Sequence, residues 1–396
     1  MSIVGFGAQG RVLAKFMDTN PEVDKIRVGD IRWSFIKDYI HRYERVEGYK
    51  VDASNYNEVL EFTKNSDVII NAVTPEFNIN IIKSALENNA NYIDMAFGPP
   101  YENLDKEIAL DSDFKKKNIT AITSSGLSPG ITNILIANVA DDLDAIDSIK
   151  LVCAGTMDSD IPFTTWSPEV MIEDCLADTY IYKNGSLVRM PPFSGRQLIS
   201  LPVIGEVEVF HHIHEELFTL WRFLGKKVNY IEFKFGGLGI EIIYLAYKLG
   251  LLSEKPIDVK GTKISPLKVF LSVIPRPPTE DMLVKWINEG IVRDGKVVCL
   301  AMVEGYRGDK RVSARVYAVT PSIVDIVRKM PQANHVSYAT SASCYIFADM
   351  LGKGEVEEKG VYVPEALSME VRRKFIDKIT SLDPPIKVNL ELRMEL

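Results

Sequence analysis

Gly5-Phe6-Gly7-Ala8-Gln9-Gly10 follows the strand-like Ser2-Ile3-Val4 and opens the helix-forming stretch Arg11 to Met17. That order of strand, glycine turn and helix is the context in which a G-x-G-x-x-G pattern carries information. Gly5 permits the tight turn, Gly7 lets the backbone approach a pyrophosphate, and Gly10 lets the helix pack close to the strand. The free N–H groups at the helix start add partial positive charge, and Phe6, Ala8 and Gln9 present their backbone to the same ligand. Asp30 ends the next strand-like run and is placed to accept hydrogen bonds from a ribose diol, with Ile31 beside it. A carboxylate there favours NAD; Arg32, two residues on, offers a guanidinium for a 2′-phosphate, so NADP is the alternative cofactor. Asp52 and Val73, after the third and fourth strand-like runs, and Ala96, after the fifth, are further cofactor-contact candidates; Asp52 and Val73 read equally well as a loop acid and a packing residue.

Outward from the glycine turn, short apolar runs alternate with amphipathic stretches. Ile26 to Val28, Asp67 to Ala72, Tyr92-Ile93 and Ile119 to Ser124 read as strands, and Ile79, Ile82, Ala85 and Leu86 fall at helical spacing. The fold class expected is α/β, a Rossmann-type doubly wound parallel sheet over residues 1–125. After Asp141-Asp142 the texture turns β-rich, with hairpin turns expected at Asn184-Gly185, at Arg293-Asp294-Gly295 and at Gly305 to Asp309. An α+β domain with a mostly antiparallel sheet is therefore expected over 126–335. Pro275, Pro277 and Pro278 mark an irregular excursion. A C-terminal segment, 336–396, carries helical patterns at Ala339 to Met350 and Ser368 to Ser381, the first expected to pack back on the nucleotide domain. Its tail alternates strictly from Val388 to Leu396 and predicts a half-buried strand.

The chain has 396 residues, 46% apolar and 25% charged, ordinary proportions for two or three compact domains. The net charge of −8 repels phosphate polymers, so nucleic acid is not an expected partner. No apolar run is long enough for a membrane span; Gly236 to Leu252 carries Glu241 and Lys248 and reads as an amphipathic helix. Cys153, Cys175, Cys299 and Cys344 show no metal or redox spacing and read as isolated thiols of a reducing compartment; a cytoplasmic location is the expectation, and no leader pattern precedes the first strand.

Ligands of parallel sheets gather at the carboxyl ends of strands, here the loops Asn71 to Phe77, Asp94 to Tyr101 and Ser124 to Gly130. Asp94 ends a strand, placed either to bind an ammonium and take its proton or to cap backbone N–H groups of its own loop. Gly126 lies in a loop leading to a helix near Ile131, with Ser128 as the expected N-cap; this helix start faces a nicotinamide or substrate carboxylate, or merely carries the chain onward. His211, His212 and His214 form the one histidine cluster. On a strand His212 and His214 share a face, but no third metal ligand at useful spacing accompanies them, so no metal is expected. His214 is preferred as a polar pocket group, against simple pairing with Glu215 and Glu216.

Together with Gly5 to Gly10, the runs Tyr92-Ile93-Asp94, Gly126-Leu127-Ser128-Pro129-Gly130-Ile131-Thr132-Asn133, Trp166-Ser167-Pro168-Glu169, Pro191-Pro192-Phe193-Ser194-Gly195, His214-Glu215-Glu216 and Gly354 to Val361 resemble the saccharopine dehydrogenase-like oxidoreductases. Within that family the resemblance runs to its lysine 6-dehydrogenase branch. It implies NAD(P)-dependent hydride transfer at a carbon bearing nitrogen in an amino acid or amine, and a homodimer. For the lysine branch the side-chain amine is oxidised to an imine that water converts to the semialdehyde. Such chemistry requires a neutral amine and hence a base, Asp94 or His214. Trp166, Glu169 and Arg196 are implied pocket residues with Gly126, Arg196 as a clamp on an α-carboxylate. Saccharopine- or carboxynorspermidine-type reactions are the alternatives within the family. A regulatory nucleotide-binding protein without turnover, and another oxidoreductase chemistry in the same first domain, are alternatives outside it.

Overall fold

The computed structural model describes residues 1–394. It divides into two compact units: Met1–Asp144 with Phe218–Lys227 and Val336–Asn389, and Ala145–Leu217 with Val228–His335 and the chain from Leu390. The first opens with β1 (Ser2–Val4), α1 (Ala8–Thr19), β2 (Ile26–Asp30), α2 (Trp33–Ile40), β3 (Val46–Lys50), α3 (Tyr56–Phe62), β4 (Val68–Asn71), α4 (Asn78–Asn88), β5 (Asn91–Asp94), α5 (Asn103–Ile108), α6 (Asp111–Lys116), β6 (Thr120–Ile122) and α7 (Ile131–Ala140). All its strand pairs are parallel, Ile3 lying opposite Val28 on one side and Ile70 on the other. Such a sheet is covered on both faces, which is why Ile3, Val4, Val28, Ile69, Ile70, Tyr92 and Ile93 are all buried. One core layer packs Ile81, Ile82 and Ala85 of α4 against Val4, Ile69 and Tyr92. At the start of α7 the expected cap is displaced. Gly130, at φ +130, is the N-cap instead of Ser128, and its N–H donates to Asn133 Oδ1 at 2.9 Å. A Cβ there would sit 2.0 Å from Gly126 O, so only glycine fits this close approach.

The second unit holds β7 (Ala145–Ser159), α8 (Pro168–Leu176), β8 (Thr179–Lys183), β9 (Ser186–Met190), β10 (Gln197–Leu201) and β11 (Gly205–His211). After α9 (Glu216–Phe223) follow β12 (Val228–Gly237), α10 (Ile240–Lys248), β13 (Ile257–Val259), β14 (Thr262–Ile264), α11 (Pro266–Val273), α12 (Glu280–Asn288), β15 (Val292–Arg307), β16 (Lys310–Val319) and α13 (Ile323–Lys329). The chain then gives the first unit most of α14 (His335–Gly352), then β17 (Gly360–Tyr362) and α15 (Met369–Thr380), and ends in β18 (Lys387–Met394). β17 pairs with β6, completing the order β17-β6-β5-β4-β1-β2-β3. The direction of winding therefore reverses between β1 and β4, the place where such sheets open a crevice for a ligand.

The larger sheet runs β10-β11-β12-β7-β15-β16-β18, with β8 and β9 branching from β12. Of its pairings, β12 with β7 is parallel; the other registers between β7 and β16 are antiparallel. The Asn184-Gly185 turn forms as expected, both residues at positive φ. Three expectations are corrected. Arg293-Asp294-Gly295 is no turn: β15 runs through it with a register shift between Val292 and Asp294, whose side chain holds Ser322 and Lys296. Cys153 and Cys299 are not isolated thiols, because antiparallel pairing sets them opposite each other on β7 and β15 and they form a disulfide; Cys175 and Cys344 remain free and buried. The tail is a strand as far as Met394, Glu395 and Leu396 lying outside the described residues, but Leu390 and Leu392 are more than half exposed instead of buried. The helix expected within 236–252 is α10. Its inner face, Ile240 and Ile243, packs with Met171 and Ile172 of α8, while Ile242, Leu245 and Leu249 lie exposed.

Candidate active site

Gly5 and Gly10 are packing glycines. Cβ atoms on them would lie 2.5 Å from Ala72 O and 2.0 Å from Gly5 O. Gly7 differs, since the nearest atom to a Cβ there is Arg32 Nη2 at 3.7 Å, leaving the backbone open to a ligand. This cradle, at the N-terminus of α1 and the carboxyl edge of β1, fits a dinucleotide pyrophosphate. Asp30 is buried, and both its oxygens are occupied: Oδ2 takes the Phe6 N–H at 2.9 Å and Arg32 Nη2 at 3.0 Å, and Oδ1 takes the Arg32 backbone N–H at 2.9 Å and Nε at 3.0 Å. Burial works against its ionisation, but the Arg32 and Phe6 hydrogen bonds outweigh it and hold the carboxyl below its usual range. What the end of β2 presents outward is the guanidinium of Arg32, packed over the Phe35 ring and exposed. Ile31 is also exposed. Gln9 receives the Ser341 hydroxyl from α14. Asp52 caps its own loop through Ser54, and the Val73 N–H is held by Asn71 Oδ1 at 3.1 Å.

At the carboxyl ends of β5 and β6 lies a buried polar network. Asp94, 1% exposed, accepts the Ser124 N–H at 2.8 Å, and the Thr123 hydroxyl lies 3.1 Å from the same oxygen and 2.6 Å from Glu107 Oε2. Asn78 Nδ2 reaches Glu107 Oε1 at 2.8 Å and Ala96 O at 2.9 Å. Burial pushes Asp94 up to about 7 and Glu107 well above the carboxylate range, Asp94 adding to the latter. The Asp94 carboxyl thus grips its own loops, the arrangement of a cap. Ser124, at φ +64 with a buried hydroxyl lacking a hydrogen-bond partner, and Gly126, whose carbonyl accepts the Ile131 N–H, continue this rim. Asn78, Thr123 and Glu107 were not singled out in the sequence, where no spacing links them.

In the second unit only His211 lies on a strand: β11 ends there, and His212 and His214 follow in irregular chain, so the shared strand expected for the three histidines does not form. His212 stacks on Phe235 and His214 on Phe233, the latter with ring centres 4.0 Å apart, while His211 turns to Glu232. His214 Nδ1 is hydrogen-bonded to Glu216 and lies 3.6 Å from Glu215. Burial alone would lower its pKa; the charge and hydrogen bond of Glu216, then Glu215 and Asp174, outweigh that and raise it to about 9. Burial pushes Glu215 up to about 7 and Asp174 to about 6. His212, buried beside that positive ring, drops to about 3. An imidazole bonded to one buried carboxyl and flanked by two more is a group able to hold and exchange a proton. Ligand-type atoms of His214, Glu215 and Glu216 lie within 4.8 Å of one another, a spacing open to a metal ion, yet the direct His214–Glu216 bond already satisfies that pair. Asp174 was missed because its i-to-i+40 separation from His214 leaves no local signal.

The remaining candidates scatter. Trp166 packs edge-on to Phe235; Glu169 is drawn down to about 2 by Arg276 and Ser167; and Arg196 pairs with Glu208 at 2.7 Å on an exposed edge.

Residues 1–122 match the saccharopine dehydrogenase NADP binding domain and residues 126–381 the saccharopine dehydrogenase C-terminal domain. Carboxynorspermidine synthase of Vibrio cholerae is 25% identical over 353 residues, covering 86% of this chain and 82% of that protein. Carboxyaminopropylagmatine dehydrogenase of Synechocystis is 21% identical over 351 residues, 86% of this chain and 84% of its own length. Saccharopine dehydrogenase (L-Glu forming) from Saccharomyces cerevisiae superposes with a TM-score of 0.71 at 14% identity, over 100% of this chain and 99% of that one. Among the described residues no helix is long and apolar enough to cross a membrane. With both domains matched in order over nearly the whole chain, the chain belongs to the saccharopine dehydrogenase family of NAD(P)-dependent oxidoreductases acting on amine substrates.

Proposed function

We propose that the chain interconverts an imine and a carboxyalkylated secondary amine of the polyamine type, with His214 as the acid–base group. The observation that carries this reading is the His214 ring held by Glu216 and flanked by Glu215 and Asp174, since three carboxyls around one imidazole suit a polycationic substrate and a mobile proton. The names of the relatives in Vibrio and Synechocystis both denote amines carrying a carboxyalkyl group, which favours this substrate class over L-lysine.

When bound, the nicotinamide supplies the hydride or accepts it at the carbon that carries nitrogen. His214, protonated at neutral pH, donates its proton to the substrate nitrogen in the reductive direction. In the oxidative direction it must first lose that proton, so oxidation is an alkaline reaction. Glu216 orients the ring, and Glu215 and Asp174 bias the pocket towards cations. Asp94 acts in this reading as a positioning residue, its carboxyl fixing the Ser124 backbone. Arg32 supports use of NADP, because its exposed guanidinium stands beside the open face of Gly7 while Asp30 is fully engaged.

The test is steady-state oxidation of a panel holding carboxynorspermidine, saccharopine and L-lysine, each with NAD and NADP. Turnover of the carboxylated polyamine at least ten-fold above lysine supports the reading; turnover of lysine alone returns the assignment to side-chain deamination.

A further inference from the structure

The loop Pro191-Pro192-Phe193-Ser194-Gly195 and the face of β11 and β12 turned away from the His214 cluster take no part in the chemistry above. On that face stand His211, Glu232 and Lys234, each less than a tenth exposed. Ser194 Oγ lies 3.2 Å from His211 Nδ1, and His211 Nε2 lies 2.9 Å from Glu232 Oε2. Glu232 also accepts the Tyr230 hydroxyl at 3.0 Å, with Lys234 Nζ at 3.7 Å and itself tied to Gln197 Oε1 at 2.8 Å. Burial opposes the charge on Glu232, but His211, Lys234 and Tyr230 outweigh it and keep the carboxylate ionised.

The loop is built to hold the serine there. Phe193 and Gly195, on either side of it, both have positive φ, +57 and +62. For a phenylalanine that conformation is strained, and the ring is held down by Phe210, Tyr244 and Tyr247. At Gly195 a Cβ would lie 2.4 to 2.6 Å from three His211 ring atoms, so glycine alone lets the loop press on the imidazole. Ser194 itself is half-buried, and Gly195 beside it is exposed.

We propose that Ser194, His211 and Glu232 form a nucleophilic relay that gives this chain a second activity, acyl transfer from small activated carboxylic esters to Ser194 and then to water. Glu232 fixes a proton on Nε2, which leaves Nδ1 as the acceptor for the Ser194 hydroxyl proton; the two ring nitrogens serve in the reverse sense to the familiar hydrolases, with the same proton balance. Oγ forms a bond to the acyl carbon, the ester C–O bond breaks, and the proton held on Nδ1 leaves with the alcohol. Water repeats the cycle, releasing the carboxylic acid and restoring the serine. No redox partner is needed, so this activity is independent of the dinucleotide and of the amine reaction.

The experiment treats the full-length protein, without cofactor, with diisopropyl fluorophosphate and, separately, with p-nitrophenyl acetate. The expected result is one adduct per chain, mapped by peptide mass spectrometry to Ser194, and acetate release from the ester. Ser194→Ala abolishes both while keeping the wild-type circular dichroism and NADP affinity, and Glu232→Gln, which preserves the shape of the network, slows both by about 100-fold. Should Glu232→Gln fail to fold, His211→Asn replaces it with the same expectation. An unlabelled wild-type protein, an adduct on Lys234 or a tyrosine, or undiminished labelling in the folded relay variant overturns the proposal. Each of those outcomes shows that the loop is merely tethered to the sheet, and leaves the dehydrogenase reading untouched.

Discussion

Replacing Glu216 by glutamine removes one negative charge from His214 and keeps a hydrogen-bonding side chain of the same shape. The rise of the His214 pKa from 6.5 to about 9 is a preference for the imidazolium worth about 3 kcal/mol. Burial opposes that preference and stays in the variant, whereas its strongest supporter is lost. Loss of one adjacent charge is worth about 1–3 pKa units, so the ring in Glu216→Gln titrates between about 6 and 8. Because the folded value lies above the unfolded one, the pair stabilises the protein fully below pH 6.5, and this contribution disappears as pH rises through about 9. The assay is an NMR titration of protein carrying 15N-labelled histidine, simple to assign because the chain has five histidines and His214→Asn identifies the resonance. The oxidation rate limb that follows His214 deprotonation moves down in pH with it. A His214 resonance titrating near 6.5 in the wild type, or unmoved by the substitution, refutes the assignment of Glu216 as the group that charges the ring.

Arg32→Ala removes the guanidinium at the end of β2 and is expected to raise the KM for NADP by about 10- to 100-fold while leaving that for NAD within a few-fold, measured by initial rates with both cofactors. Gly10→Ala puts a methyl group 2.0 Å from the Gly5 carbonyl and is expected to lower the thermal midpoint and abolish dinucleotide binding, read by scanning fluorimetry with and without NADP. Asp94→Asn, mimicking a carboxyl whose pKa is already about 7, is expected to fold with NADP affinity close to wild type, whereas Asp94→Ala leaves the Ser124 N–H unpaired at a cost of about 1–3 kcal/mol by urea denaturation.

The glycine turn and the β-strand ends were readable from the chain because local rules govern them: Gly5, Gly7, Gly10 and Asp30 sit where a strand, a turn and a helix put them in any doubly wound sheet. The different partners of His211 and of His212 and His214 were expected from alternation along one strand, but β11 ends at His211 and the other two rings meet Phe235 and Phe233 from the chain that follows it. What escaped was set by contacts distant in sequence. Cys153 and Cys299 are 146 residues apart, and only the register of β7 against β15 brings them together. Asp94 joined Glu107 and Thr123 through folding of three separate segments, and Asp174 reached His214 in the same way. Arg293-Asp294-Gly295 looked like a turn because its residue types suit one, but pairing with β7 overrode that preference. The exposed Leu390 and Leu392 show the converse, a strand whose periodicity is plain but whose apolar face stays uncovered within one chain.

The most direct test of the central claim uses NADPH carrying deuterium at the transferred position of nicotinamide C4, incubated with the protein, a diamine and a carboxyl-bearing aldehyde. The account predicts a carboxylated secondary amine whose mass spectrum shows one deuterium on the carbon attached to nitrogen, and at least a 100-fold slower formation in His214→Asn. A product without deuterium, or no secondary amine from a protein that binds NADPH, would contradict it.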